Sequence, residues 1–188
     1  YDGAELAPVA TVSSTITGDD FTMEYSTNGG TTWDTIVPSI THVGTQAVKV
    51  RATNPNYVTK TCEYTLAVTK RSVTVAIAGH TSTTEYNGAA HTVTGYDITS
   101  ISNELYTSSD FTFSGSASAS RTDTGTTNMG LAASQFTNNN ANFEVTFNVT
   151  DGYQTITANE GALTLTCPSG VSIAKVYDGA ALNPAASV

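Results

Sequence analysis

Polar and apolar residues alternate with a period of two in short runs along this chain, and a helical period is sustained nowhere in it. Over residues 46–52, Val48 and Val50 fall on one face while Lys49 and Arg51 fall on the other. Residues 143–149 repeat the pattern, with Phe143, Val145, Phe147 and Val149 on one side and Glu144, Thr146 and Asn148 on the other. Residues 21–26, 62–68, 72–77, 111–113 and 153–157 alternate in the same way, and each is predicted to be a strand. The exception is Met129-Gly130-Leu131-Ala132-Ala133-Ser134-Gln135-Phe136, where a single helical turn is expected.

Turn chemistry separates these runs. Thr27-Asn28-Gly29-Gly30 lies between 21–26 and 31–35, and Asn-Gly between alternating segments predicts a hairpin, with Tyr25 and Trp33 facing the core or each other. Val37-Pro38 breaks the return run, Asn54-Pro55-Asn56 is a loop, Asp151-Gly152 is a turn, and 137–142 is an Asn-rich loop. Strands this short, with turns every ~8–12 residues, predict an antiparallel sandwich.

The chain also repeats itself. Residues 1–12 read YDGAELAPVATV and residues 177–188 read YDGAALNPAASV, with a weaker copy at Tyr86-Asn87-Gly88-Ala89-Ala90. Starts at 1, 86 and 177 give intervals of 85 and 91 residues, the size of a small β domain rather than of a solenoid unit. Asp or Asn followed by Gly makes a turn, because Gly supplies positive φ and Asx side chains bond the backbone two residues on. The structural turn residues are therefore Tyr1, Asp2, Gly3, Tyr86, Asn87, Gly88, Tyr177, Asp178 and Gly179. A strand-like run precedes Tyr86 (72–77) and another precedes Tyr177 (162–166). The expected organisation is a first repeat over 1–69 without its opening strand, a second over 70–159, and the opening segment of a third over 160–188. The fold class expected is all-β: two tandem antiparallel β-sandwich (Ig-like) or β-grasp-like domains, with one short helical turn in the second. This register suggests a piece cut from a longer chain, and strand-swapped self-association through residues 162–188.

Composition narrows the function. Only 12% of the residues are charged, against about 25% in ordinary domains. Thr occupies 35 positions, and its branched Cβ fits a pleated surface. A net charge of −9 with seven scattered Lys and Arg excludes nucleic acid as a partner. No run of 18 apolar residues occurs, so no membrane insertion is expected. Cys62 and Cys167 lie in strand-like runs at non-matching places in the repeat, and are expected to be two free, half-buried thiols.

The segments YDGAELAP, EYNGAAHTV and KVYDGAALNP, with YTLAVTKRSVTV, TDTGTTNMGL and NFEVTFNVTDGYQTIT, resemble the YDG/MBG-type tandem repeats of bacterial cell-surface adhesins. The resemblance implies an extracellular β-rich stalk or adhesive module on the bacterial surface, with neighbouring repeats as partners. It transfers no binding residue.

Chemistry-bearing patterns are sparse. His42, His80 and His91 show no metal-ligand spacing, although His80 and His91 flank the Tyr86 turn and are placed to approach one another. Asp19, Asp20 and Asp123 have the ligand type but not the spacing of a Ca²⁺ loop. With no nucleophile elbow, phosphate loop or CxxC, no enzyme and no cofactor are expected. Two functions remain: a structural stalk or spacer, and a module binding a host glycan or surface protein. The second would use Asn138, Asn139, Asn140, Asn142 and Tyr153, with Tyr57, Tyr96 and Tyr106 as further exposed aromatics, since amides and aromatic faces suit sugars.

Overall fold

A computed structural model describes residues 1–161, 163–166 and 179. Three antiparallel strands form the first sheet: Thr22–Ser26 (β1), Gly44–Thr53 (β2) and Lys60–Val68 (β3), in the order β1-β2-β3. The alternation of 46–52 is used as expected, with Val48 and Val50 each 1% exposed and Lys49 and Arg51 on the opposite face. Tyr25, Val48, Val50 and Leu66 form the buried centre, flanked by Met23, Val37, Ile40 and Tyr64. The predicted return strand over 31–35 is reduced to a single bridge between Tyr25 and Asp34. Asn28 explains this: its side-chain oxygen accepts from the N–H groups of Thr31 and Thr32, curling the segment instead of extending it.

The remaining strands are Arg71–Gly79 (β4), Thr81–Glu85 (β5), His91–Thr94 (β6), Tyr96–Ile101 (β7), Phe111–Phe113 (β8), Ser118–Arg121 (β9), Gly125–Asn128 (β10), Phe136–Asn138 (β11), Phe143–Thr150 (β12) and Tyr153–Thr157 (β13). The expected helical turn is present as a 3-10 turn at Ala133–Gln135, and a second lies at Ser108–Asp110. The architecture is all-β, but not purely antiparallel. β4 pairs in parallel with β12 and antiparallel with β7, while β5 pairs in parallel with β13 and β10 antiparallel with β13. β6 pairs with β9 and β8 with β11.

Two parallel strands thus travel together and bend together. The chain passes from β4 to β5 at Gly79-His80 and from β12 to β13 at Asp151-Gly152. The two glycines face each other at this corner, where a Cβ on Gly79 would stand 2.8 Å from Gly152 Cα. Tyr153 N–H donates to His80 O and Met129 N–H to Gly152 O, so the bend keeps its backbone bonds. The Asp151 carboxylate accepts from the N–H groups of Gly130 and Leu131, at 3.1 and 2.8 Å, and fixes the crossing loop.

A second apolar cluster fills the space between these sheets. Val73, Val75, Ile77, Tyr106, Phe111, Met129, Leu131, Phe136 and Phe143 are buried in it. Some of its aromatic rings meet edge to face, Tyr106 on Phe143 at 5.2 Å and Tyr96 on Phe136 at 5.3 Å, while Tyr106 and Phe111 stack at 6.3 Å.

Three expectations are corrected here. Tyr106 is 2% exposed and Tyr96 packs on Phe113 and Phe136, so neither is a surface aromatic. Cys62 is a free thiol but exposed rather than half-buried, because β3 is the edge strand of its sheet. Residues 163–166 join no sheet among the described residues, and Leu163 and Leu165 are 85% and 75% exposed. Cys167, Tyr177 and Asp178 lie outside the described residues.

Candidate functional site

The first candidate is the Tyr-Asx-Gly turn. Asp2 Oδ1 accepts from Ala4 N–H at 3.0 Å, and Asn87 Oδ1 accepts from Ala89 N–H at 3.0 Å. Gly3, Gly88 and Gly179 all sit at positive φ, at 80°, 79° and 79°, a region that only glycine enters freely. The Tyr1 amino group donates to Thr69 O at 2.7 Å, and Tyr86 N–H donates to Thr157 O at 2.9 Å. The Tyr1 ring lies edge-on to Phe143, with centroids 5.3 Å apart, and stacks towards His42 at 6.3 Å. Tyr1 therefore packs against the second apolar cluster although its backbone bonds the end of β3.

The Asn-rich loop meets the same place from the other side. Asn142 Oδ1 accepts from Val43 N–H at 2.9 Å, and its amide nitrogen lies 3.1 Å from His42 Nδ1. Asn142 O accepts from Arg71 N–H at 3.0 Å. Asn138 donates to Asn140 O and Phe143 O and accepts from Asn140 N–H and from the Tyr106 hydroxyl. Asn140 donates to Asp110 Oδ1 at 2.9 Å and accepts from Asn142 N–H at 3.1 Å. These three amides are engaged within the protein, and the loop is a ladder of Asx turns. Asn139 is exposed, with its backbone N–H on Asp110 O.

Charge around this ladder follows from its burial and bonds. Burial pushes the Asp110 carboxyl up, but the Thr107 backbone N–H, the Asn140 amide and the Thr107 hydroxyl outweigh it and hold the group below its ordinary value. Burial, with the Asp110 charge adding to it, pushes the Tyr106 phenol up to about 12. Tyr153, the other proposed ligand contact, is 38% exposed but stands on β13 opposite Thr81 and Asn128. Between it and the loop runs the length of β12, roughly 23 Å at the usual rise. The structure does not bring Tyr153 to the asparagines.

The second candidate is a cleft of about 460 Å³ lined by Val12, Ser14, Phe21, Tyr57, Val58 and Lys60. Phe21 and Tyr57 form its aromatic wall, with ring centroids 5.2 Å apart. The Tyr57 hydroxyl donates to the Asp19 carboxylate and lies 3.1 Å from Ser14 Oγ. Asp19 holds the phenol above its ordinary pKa, Ser14 pulls it down, and slight burial adds to the rise. An apolar plate rimmed by hydroxyl and carboxylate groups has the size and chemistry of a small-molecule pocket. Tyr57 was legible as an exposed aromatic; Phe21, Ser14 and Asp19 were not, because they reach it from a separate segment.

His80 and His91 do not meet. His80 lies 3.3 Å from Asp97 Oδ1 and 2.7 Å from Thr94 O, and His91 lies 3.0 Å from Asn87 Oδ1. The Asp97 bond, then the Thr94 carbonyl, raise the His80 pKa against a small desolvation effect. Among the described residues no group of three or more His, Cys, Asp or Glu is arranged to hold a metal ion. No helix of the described residues is long and apolar enough to cross a membrane. Compared with protein-family models, with curated proteins and with solved structures, the chain matches none.

Proposed function

We propose that the chain is a repeat module of a bacterial surface adhesin, extracellular, and acting mainly as a stalk or spacer. In this reading it comprises two tandem β-sandwich or β-grasp-like repeats, 1–69 and 70–159, followed by the opening segment of a third at 160–188. The observation that carries it is the bond from the Tyr-Asx-Gly turn to the end of a closing strand, made once by Tyr1 on Thr69 and again by Tyr86 on Thr157. A tandem spacer is built from a unit that closes in the same way at every copy, and this bond recurs within 1–69 and within 70–159. The Thr-, Ser- and Asn-rich surface of low charge suits a module that must stay solvated without adhering to its neighbours.

A second reading, adhesion to a host glycan, is favoured by the Tyr57–Phe21 cleft. A glycan array decides between them, run with the intact chain and with Tyr57→Ala. Binding that disappears in the variant makes the cleft a sugar site. No binding by either protein supports the spacer.

A further inference from the structure

Asparagine followed by glycine occurs twice in the chain, at Asn28-Gly29 and at Asn87-Gly88. A glycine leaves its backbone nitrogen unshielded by any Cβ, open to the side-chain carbon of the asparagine before it. The two sites hold their amides differently. Asn28 is locked at both ends: its Oδ1 accepts from Thr31 N–H, Thr32 N–H and the Ser26 hydroxyl, and its Nδ2 donates to Thr32 Oγ1 at 2.7 Å. Bonds to residues three and four positions on draw this side chain across the turn and away from the Gly29 nitrogen.

Among the described residues Asn87 is held by its side-chain oxygen alone. Oδ1 accepts from Ala89 N–H at 3.0 Å and lies 3.0 Å from His91 Nε2. An amide oxygen only accepts, so Nε2 carries the proton of that bond. The Ala89 bond closes an Asx turn, which folds Cγ back towards the Gly88 nitrogen. Gly88 sits at φ 79°, exposed, with no atom within 4 Å of where a Cβ would stand, so water reaches the site. Both sides of the turn are fixed. Tyr86 N–H donates to Thr157 O and Tyr86 O accepts from Asn159, while His91 opens β6 and registers with Arg121 of β9.

We propose that Asn87 is a site of hydrolytic modification in the folded protein, assisted by His91, and that Asn28 is protected from the same reaction. The Gly88 nitrogen attacks Cγ of Asn87, and the tetrahedral intermediate places negative charge on Oδ1, where Ala89 N–H and His91 Nε2–H already donate. The Gly88 N–Cγ bond forms, the Cγ–Nδ2 bond breaks, and Nδ2 departs as ammonia with the proton from Gly88. Water then opens the resulting succinimide. Cleavage of the Gly88 N–Cγ bond leaves aspartate, and cleavage between Gly88 N and the Asn87 main-chain carbonyl carbon leaves isoaspartate. The aspartate fits without rearrangement, because Asp2 makes the same bond to Ala4 N–H in the same kind of turn, at 3.0 Å. It also sets a carboxylate against His91 Nε2. The isoaspartate instead adds a methylene to the backbone between Tyr86 and β6.

Peptide mapping by mass spectrometry, after the intact folded chain has stood in warm, mildly alkaline buffer, reads both sites. The peptide carrying Asn87 should gain about 1 Da, resolve into aspartate and isoaspartate forms, and take up one labelled oxygen when the water is isotopically heavy. The peptide carrying Asn28 should stay unchanged over the same interval. His91→Ala should slow the conversion of Asn87 about tenfold, the weight of one hydrogen bond to the developing oxyanion, and His91→Gln, which keeps a donor, should recover much of the rate. Thermal unfolding of both variants checks that the rates are those of folded protein. An Asn87 that stays intact overturns the proposal, as does conversion of Asn28 as fast as that of Asn87. The parent's rate in folded His91→Ala overturns it as well, because the donor would then contribute nothing.

Discussion

Asn142 Oδ1 accepts a hydrogen bond from the backbone N–H of Val43, 99 residues earlier in the chain, at 2.9 Å. The same residue's carbonyl holds the N–H of Arg71, the first residue of β4. One side chain thus joins a loop of the second cluster to the strand entry of the first, beside the Tyr1 ring on Phe143. Asn142→Ala should cost about 1–2 kcal/mol, because Val43 N–H loses its partner at a half-buried site. Chemical denaturation measures the loss, and a variant as stable as the parent would remove Asn142 from the junction.

The corner of the parallel ribbon tolerates no side chain. A Cβ on Gly79 would lie 2.8 Å from Gly152 Cα, and one on Gly152 would lie 2.7 Å from Met129 Sδ. Both contacts are tighter than real Cβ atoms show, and the first is with backbone that cannot rotate away. Gly79→Ala or Gly152→Ala should destabilise the second cluster by about 3 kcal/mol or more. Thermal unfolding followed by Tyr and Phe environment should show an early transition in that cluster, with the first sheet melting unchanged.

Tyr106→Phe isolates one hydroxyl. The hydroxyl donates to Asn138 Oδ1 at 3.0 Å and its oxygen lies 3.2 Å from Asp110 O, in a residue 2% exposed. Losing it should cost about 1 kcal/mol, whereas Tyr106→Ala should cost about 3–5 kcal/mol by opening a cavity beside Phe143. In the intact protein, spectrophotometric titration should show one phenol ionising near 12, and Tyr106→Phe should delete that step.

His80 supplies a pH signature. Its folded pKa is raised above 6.5 by Asp97 and by Thr94 O. The stabilisation belongs to the imidazolium, so it is fully present below the unfolded value and is lost as pH rises through the folded one. NMR titration should place the His80 ring above an ordinary histidine, and Asp97→Asn should bring it down. The stability difference between parent and Asp97→Asn should be larger at mildly acidic pH than at alkaline pH. Equal differences at both would refute the pairing.

The legible part of this fold was the part with hydrophobic contrast. β2 and β12 declare themselves because Val and Phe alternate with Lys, Arg, Glu and Thr. β5 and β10 do not, because both of their faces are polar in sequence, and β6 and β9 carry one apolar residue each, Val93 and Ala119, too few to show a period. The parallel pairing of β4 with β12 brings together segments more than sixty residues apart, and no local pattern encodes it. Tyr106 read as exposed because Asn103, Glu104 and Thr107 surround it in the chain, yet its burial is set by Phe111 and Phe143. The asparagines stand out in the sequence as candidate ligand contacts, but the amides of Asn138, Asn140 and Asn142 bond the protein's own backbone and side chains, a use that sequence cannot separate from sugar binding.

The central claim is that the β1–β3 sheet and the second apolar cluster are held in a fixed relation by Tyr1 on Phe143 and by Val43 on Asn142. Residual dipolar couplings measured for the amides of 22–68 and of 71–157 in one weakly aligned sample test it most directly. The account predicts that one alignment tensor fits both sets, with the units oriented as in this structure, and that Asn142→Ala splits it in two. Two tensors of different magnitude in the unmodified protein would mean that the units move independently, and the junction would not be that of a spacer.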